Sequence, residues 1–257
     1  MTHSTSSGRE PKVLVLKAEG TNRDEEMDYA FKIAGGDPEI IHINELRSGK
    51  IKLNDFQILA LPGGFAYGDD IVSGKILAIE LTAFLGKEMK KFIERKDTAI
   101  IGICNGFQVL VRTGLLPFRK IGEMDVTLTN NDSGHFECRW VKVKVNPKNI
   151  SKFLEGISDE IMWLPIAHGE GKFLTDEKTL KKVEKNNLVA FRYIGNPNGS
   201  LNDIVGVTDT TGRILGMMPH PECFVRIEQY PNWRRGKVKV DGLPIFENIV
   251  KWVKEQR

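Results

Sequence analysis

Ile100-Ile101-Gly102-Ile103-Cys104-Asn105-Gly106-Phe107-Gln108 runs from an apolar, β-branched stretch through two glycines into a segment with helical spacing. A strand-to-helix turn of this kind presents one reactive side chain at the end of a sheet. Flanking glycines tolerate the crowded backbone it needs, as in the Gly-x-Ser-x-Gly elbow of hydrolases. Cys104 falls where the helix begins, and there the dipole and free N–H groups stabilise a thiolate. The plain alternative is a cysteine packed as a small core residue; its place between two glycines favours a nucleophile. Cys138 and Cys223 lack that setting and read as structural.

A thiolate that attacks a carbonyl needs a proton carrier and a group to orient it. Two segments that follow an apolar run offer a histidine with a glutamate two residues on: His220-Pro221-Glu222 after Ile214 to Met218, and His168-Gly169-Glu170 after Ile166-Ala167. In an extended chain that spacing puts both side chains on one side. Residue chemistry leaves both pairs open, although Pro221 holds its neighbour extended and mildly favours the first. His3 and His42 have no glutamate two residues on and His135 follows no such apolar run, so all three read as structural or solvated. The tetrahedral intermediate also needs N–H donors for its oxyanion. Pro62-Gly63-Gly64-Phe65, closing an apolar run, supplies one candidate, and the N–H of Asn105 a second.

These groups require a scaffold that brings several strand ends together. Lys12 to Leu16 reads as a strand and Asp24 to Ala34 as a helix stopped by Gly35-Gly36. Ile40 to Ile43 and Gln57 to Leu61 read as strands, Lys75 to Arg95 as one long helix, Thr98 to Ile103 as a buried strand and Asn105 to Thr113 as a helix closed by Gly114. Alternating strands and helices predict an α/β fold with a parallel sheet and covered faces. Beyond Pro117 come strand-like runs at Val126 to Thr129, Phe136 to Val145, Met162 to Ala167, Leu188 to Tyr193, Ile204 to Thr208 and Ile214 to Met218, then a closing helix over Ile245 to Val253. This half predicts antiparallel or mixed pairing. No repeat or low-complexity linker divides the chain, so the expectation is a flexible tail at 1–11 and one domain over 12–257.

Bulk properties narrow the function classes. The 257 residues, 40% hydrophobic, suffice for a large core, and 37 basic against 34 acidic side chains give a net charge of +3, too balanced to imply nucleic acid or a membrane surface. Three widely spaced cysteines with no CxxC suit reduced thiols in the cytosol better than a disulfide framework. The N-terminal stretch lacks the apolar core of a signal peptide, and no run reaches membrane-spanning length. A soluble, cytoplasmic protein is expected, and the Asn-x-Ser matches at Asn131, Asn149 and Asn198 then carry no glycosylation meaning.

Six motifs in order, PGGFAYGD (62–69), GICNGFQVL (102–110), NDSGHFECRWV (131–141), PIAHGEG (165–171), NPNGS (196–200) and GMMPHPE (216–222), resemble the class I, or triad, glutamine amidotransferases. Within them the chain is similar to the glutaminase subunits of phosphoribosylformylglycinamidine synthases. The resemblance implies a flavodoxin-like open mixed sheet, mostly parallel, with helices on both faces. It implies a Cys104, His220, Glu222 triad, an oxyanion hole at Gly64 and Asn105, and glutamine contacts from Gln108, Ser133, His135 and Phe136. His168 and Glu170 then become pocket or interface residues. It further implies hydrolysis of glutamine to glutamate and ammonia. The ammonia would pass to a large synthetase subunit, with ATP and Mg, that converts formylglycinamide ribonucleotide to formylglycinamidine ribonucleotide in purine biosynthesis, alongside a small accessory subunit. No GxxxxGK[ST] loop is present, so no ATP site and no cofactor is expected in this chain. A metal site over His168, Glu170, His220 and Glu222 is chemically conceivable but lacks helical His spacing or paired cysteines, and no metal is expected. The competing classes are a non-catalytic binding or regulatory module and a cysteine hydrolase on the same fold.

Overall fold

The computed structural model describes residues 10–157, 161–236 and 239–256. The expected tail falls for the most part on residues 1–9, outside the described residues. In chain order the first half contains β1 (Lys12–Lys17), α1 (Asp24–Ile33), β2 (Asp37–His42), α2 (Ile43–Arg47), β3 (Ile58–Leu61), α3 (Lys75–Ile79), α4 (Gly86–Glu94), β4 (Ala99–Ile103) and α5 (Asn105–Arg112). The second half contains β5 (Thr127–Thr129), β6 (Glu137–Val145), β7 (Ile161–His168), β8 (Lys172–Leu174), α6 (Glu177–Lys185), β9 (Val189–Ile194), β10 (Ile204–Thr208), β11 (Ile214–Met217) and α7 (Leu243–Glu255).

A nine-stranded sheet runs in the order β2-β1-β3-β4-β11-β10-β9-β6-β7, and β5 pairs with β8 in a small second sheet. Pairing is parallel from β2 through β11 and antiparallel beyond it. The α/β, flavodoxin-like mixed sheet expected from the sequence is the fold observed. Sequence composition explains the change of texture. β3 (ILAL) and β4 (AIIGI) are buried at every residue and need apolar side chains on both faces, whereas β6 alternates, burying Val141, Val143 and Val145 and exposing Lys142 and Lys144. Among the described residues no helix is long and apolar enough to cross a membrane.

The expected long helix over Lys75 to Arg95 is broken. A π-turn spans Glu80–Phe84, closed by the Leu85 N–H to the Glu80 carbonyl at 3.2 Å, and α4 restarts at Gly86. Thr82 donates its hydroxyl back to the Ala78 carbonyl at 2.8 Å, which loosens the ladder where the pitch changes. Helix α6 has only Val183 buried, too thin an apolar stripe to be read as a helix from sequence.

What matters for function is where strands stop. Register pairs Leu61 with Gly102 and Ile103 with Met217, so β3, β4 and β11 end side by side at their carboxyl ends. The order 2-1-3-4 reverses direction between β1 and β3, and open α/β sheets bind ligands at the carboxyl ends beside such a switch point. The segments leaving β1, β3, β4 and β11 there are Ala18 to Arg23, Pro62 to Phe65, Cys104 and Met218 to Glu222.

Candidate active site

Cys104 joins β4 to α5 with φ 51° and ψ −106°, a conformation that L side chains rarely adopt. Its N–H donates to the Met217 carbonyl at 2.8 Å, which ties the turn to β11. The flanking glycines are required by close approach. A Cβ on Gly106 would sit 1.9 Å from the Leu61 carbonyl oxygen, and one on Gly102 would sit 2.6 Å from the Gly106 oxygen. Helix α5 therefore lies down on the strand ends, and buried Phe107, Val109, Leu110 and Val111 hold it there, each large apolar side chain contributing roughly 1.5–3 kcal/mol. The result is a rigid platform with Cys104 at its edge, 4% exposed, its sulfur 3.6 Å from the Ala167 carbonyl oxygen of β7.

His220 and Glu222 meet, but not on an extended strand. A short 3-10 turn at Pro221–Phe224 follows His220, and its curvature brings Glu222 back so that His220 Nδ1–H donates to Glu222 Oε1 at 2.5 Å. Pro221 opens that turn, and the His220 N–H is fixed to the Pro165 carbonyl at 2.9 Å. Both side chains are buried, and His220 Nε2 has no hydrogen-bond partner among the described residues. Burial opposes charge on the ring, yet the Glu222 carboxylate and the Cys104 sulfur outweigh it and raise its pKa to about 10. The imidazole is therefore held as a cation beside the Cys104 sulfur, with its Nδ1–H committed to Glu222.

Gly63 closes on this pair: a Cβ there would stand 2.6 Å from His220 Cε1 and 3.4 Å from Cys104 Cβ. Gly64 follows at φ 138°, pinned by a bridge to Thr21, while the Phe65 N–H is spent on the Gly20 carbonyl at 2.9 Å. The N–H groups of Gly64 and Asn105 enter no backbone hydrogen bond among the described residues. A cavity of about 310 Å³ is lined by Asn22, Arg23, Gly64, Phe65, Cys104, Phe136, Cys138, Ala167 and His220.

Other sequence-based expectations fare differently. Phe136 lines the cavity and stacks obliquely on Phe65, ring centroids 6.1 Å apart. Gln108 does not line it: its amide is committed within the protein, Nε2 donating to the Glu170 carbonyl at 2.6 Å and Oε1 accepting from Asn105 Nδ2 at 3.1 Å. Ser133 and His135 lie exposed outside the lining, bound to each other through the His135 N–H and the Ser133 hydroxyl at 3.3 Å. His168 and Glu170 are not a pair. His168 is buried between Asn131 and Tyr193, whereas Glu170 stands 3.9 Å from Arg112. Cys138, read as structural, is exposed and lines the cavity; Cys223, also read as structural, is half-buried beside Glu222, and burial pushes its thiol pKa well up. Possible metal-ligand atoms of His220, Glu222 and Cys223 lie within 4.8 Å of one another, but the first two are already joined by their hydrogen bond.

Three contributors had no local sequence signal. Asn131 donates to the carbonyls of His168 (2.8 Å) and His135 (3.0 Å), which orients its amide so that Oδ1 accepts from His168 Nδ1 at 3.1 Å. Tyr193 reaches His168 Nε2 at 3.5 Å. Burial, with the His220 charge nearby, lowers the His168 pKa to about 4, so this second imidazole stays neutral. Arg23, just before α1, is the one arginine or lysine among the described residues of the cavity lining.

Residues 10–253 match the CobB/CobQ-like glutamine amidotransferase domain. The chain is 46% identical over 255 residues to phosphoribosylformylglycinamidine synthase subunit PurQ of Dehalococcoides mccartyi, covering 95% of this chain and 98% of the relative. It is 44% identical over 268 residues to the subunit of that name from Methanococcus maripaludis, covering 94% and 98% of the two. Its fold is similar to the solved structure of PurLQS from Thermotoga maritima, with TM-score 0.74 and 30% identity over 95% of this chain and 99% of the other. A strained cysteine elbow, a buried His–Glu pair and a glycine loop meeting in one cavity, together with a family match over nearly the whole chain, lead to one conclusion: the chain belongs to the CobB/CobQ-like glutamine amidotransferases.

Proposed function

We propose that this chain is the glutaminase subunit of a phosphoribosylformylglycinamidine synthase, acting in the cytosol through Cys104, His220 and Glu222. The observation that carries the reading is the meeting of Cys104 and His220 in one cavity, with the histidine locked to buried Glu222. The Cys104 thiolate attacks the side-chain amide of glutamine, forming a C–S bond, and the oxyanion is received by the N–H groups of Gly64 and Asn105. His220 Nε2–H gives its proton to the amide nitrogen, the C–N bond breaks, and ammonia leaves behind a thioester. The neutral imidazole then takes a proton from water as its oxygen attacks the thioester carbonyl; the C–S bond breaks, releasing glutamate and restoring the thiolate.

High identity to the curated subunits over nearly their full length supports passage of ammonia to a large synthetase subunit that makes formylglycinamidine ribonucleotide, with a small accessory subunit in the assembly. The continuous nine-stranded sheet supports 12–257 acting as one domain. In this reading the chain carries no metal or nucleotide cofactor, and ATP and magnesium serve the synthetase. The deciding experiment is intact-mass labelling with a glutamine-like electrophile, alone and with the synthetase, for wild type and Cys104→Ala. A single adduct confined to wild type is expected, with ammonia-dependent synthesis by the complex spared in Cys104→Ala. Absence of any adduct in the complete complex would refute the reading.

A further inference from the structure

The cavity lining has a charge asymmetry that the triad leaves unused. Among the described residues that line it, Arg23 is the one arginine or lysine, none is a carboxylate, and Phe65 and Phe136 form an apolar wall. Arg23 immediately precedes α1, where the loop from β1 enters the switch point, and Asn22 beside it is tied to the Gly63 carbonyl at 3.5 Å. One guanidinium nitrogen, Nη1, donates to Glu26 at 2.6 Å one helical turn on, and the side chain is 40% exposed. A guanidinium carries five N–H donors in a planar fork suited to carboxylate, so a single hydrogen bond among the described residues, to Glu26, leaves donors for a further carboxylate. The substrate under the glutaminase reading is an amino acid whose α-carboxylate lies three carbons from the attacked amide.

On that reading, we propose that Arg23 is the specificity-determining anchor for the α-carboxylate of glutamine, sharing its guanidinium between the substrate and Glu26. Arg23 thereby sets which amides enter: an amide with a remote carboxylate is held with its carbonyl at Cys104, and one without it is not. Glu26 acts as a competitor that moderates the anchor. The rival role for Arg23 is electrostatic support of Glu222, whose charge it also feels. The two roles separate kinetically, because a carboxylate anchor acts only on substrates that carry the carboxylate.

The test measures glutamate or ammonia release by the full chain assembled with its synthetase. It compares wild type, Arg23→Ala, Arg23→Lys and Glu26→Gln, with glutamine and with γ-aminobutyramide, which is glutamine without its α-carboxylate. Arg23→Ala is expected to raise KM for glutamine roughly 10- to 100-fold, the range for losing a charge-assisted hydrogen bond, with kcat within about threefold. Its kcat/KM for γ-aminobutyramide should stay unchanged. Arg23→Lys should recover part of the loss, and Glu26→Gln should lower KM for glutamine. Equal losses in kcat on both substrates would overturn the anchor and assign Arg23 to the triad. An unchanged KM for glutamine in Arg23→Ala would overturn it alone, whereas wild type inert toward glutamine and unlabelled at Cys104 would overturn the glutaminase reading and this inference with it.

Discussion

The backbone at Cys104 makes a quantitative demand on stability that can be tested without substrate. At φ 51°, ψ −106° the residue sits outside the regions open to L side chains, and a strained non-glycine residue of this kind costs on the order of 1–3 kcal/mol. Glycine reaches the mirror of an ordinary extended conformation there and escapes that cost, but it loses roughly 0.5–1 kcal/mol through the greater freedom of its unfolded chain. Alanine keeps the Cβ and the strain. Cys104→Ala and Cys104→Gly both delete the sulfur and its contact with Ala167, so their difference isolates the backbone. Cys104→Gly should therefore be the more stable by about 1 kcal/mol, a rise in Tm of roughly 2–4 °C for a chain of this size. Denaturant unfolding followed by tryptophan fluorescence and by circular dichroism, with coincident transitions, measures it. Equal stability, or a more stable alanine variant, would refute the claim that the elbow stores strain, and the placement of Cys104 would then have to come from packing alone.

Two further outcomes rest on the histidines. His168 is held neutral with a pKa of about 4 against an ordinary 6.5. Between those values the unfolded chain binds a proton that the folded protein does not, so stability is lost as pH falls from about 6.5 to about 4 and levels off below, a span on the order of 3 kcal/mol. Denaturant midpoints across that window should fall more steeply for wild type than for His168→Gln; matching slopes would show that His168 is protonated in the folded protein. Glu222→Gln removes the carboxylate that raises the His220 pKa to about 10, so that pKa should fall and the alkaline limb of glutamine hydrolysis should move toward neutrality, with turnover down roughly 10²- to 10⁴-fold. A pH–rate profile of unchanged shape would place the proton carrier elsewhere.

What could be read from the sequence was whatever is enforced locally. The elbow was legible because its requirements lie within five residues. Gly102 and Gly106 are needed to clear Leu61 and the turn of α5, and Cys104 stands between them. The parallel strands were legible because a strand covered on both faces must be apolar throughout, as ILAL and AIIGI are. Distant partners erased the rest. His168-x-Glu170 and His220-x-Glu222 have the same spacing, yet Asn131, 37 positions before His168, captures its ring, whereas His220 meets its glutamate through a turn that extended-chain reasoning did not foresee. Gln108 lies in the most informative motif of the chain, but Glu170, 62 positions on, takes its amide. The break in the helix over Lys75 to Arg95 had a cue in Gly86, outweighed by an apolar periodicity that runs through it.

The antiparallel half of the sheet is part of the site rather than an appendage to it. The parallel strands supply Gly64, Cys104 and His220 from three adjacent carboxyl ends, and such an arrangement alone is an open ledge. β6 and β7 supply Cys138, Ala167 and the approach of Phe136, converting that ledge into a cavity with a wall. Ala167 is placed by its register opposite Cys138 and by the Asn131–His168 contact next to it, so the wall is held by a buried polar cluster that carries no charge at neutral pH. A charged His168 behind the wall would disfavour the imidazolium at His220. Keeping it neutral lets the His220 cation stand beside Cys104 and Glu222 without a second positive charge in the same field.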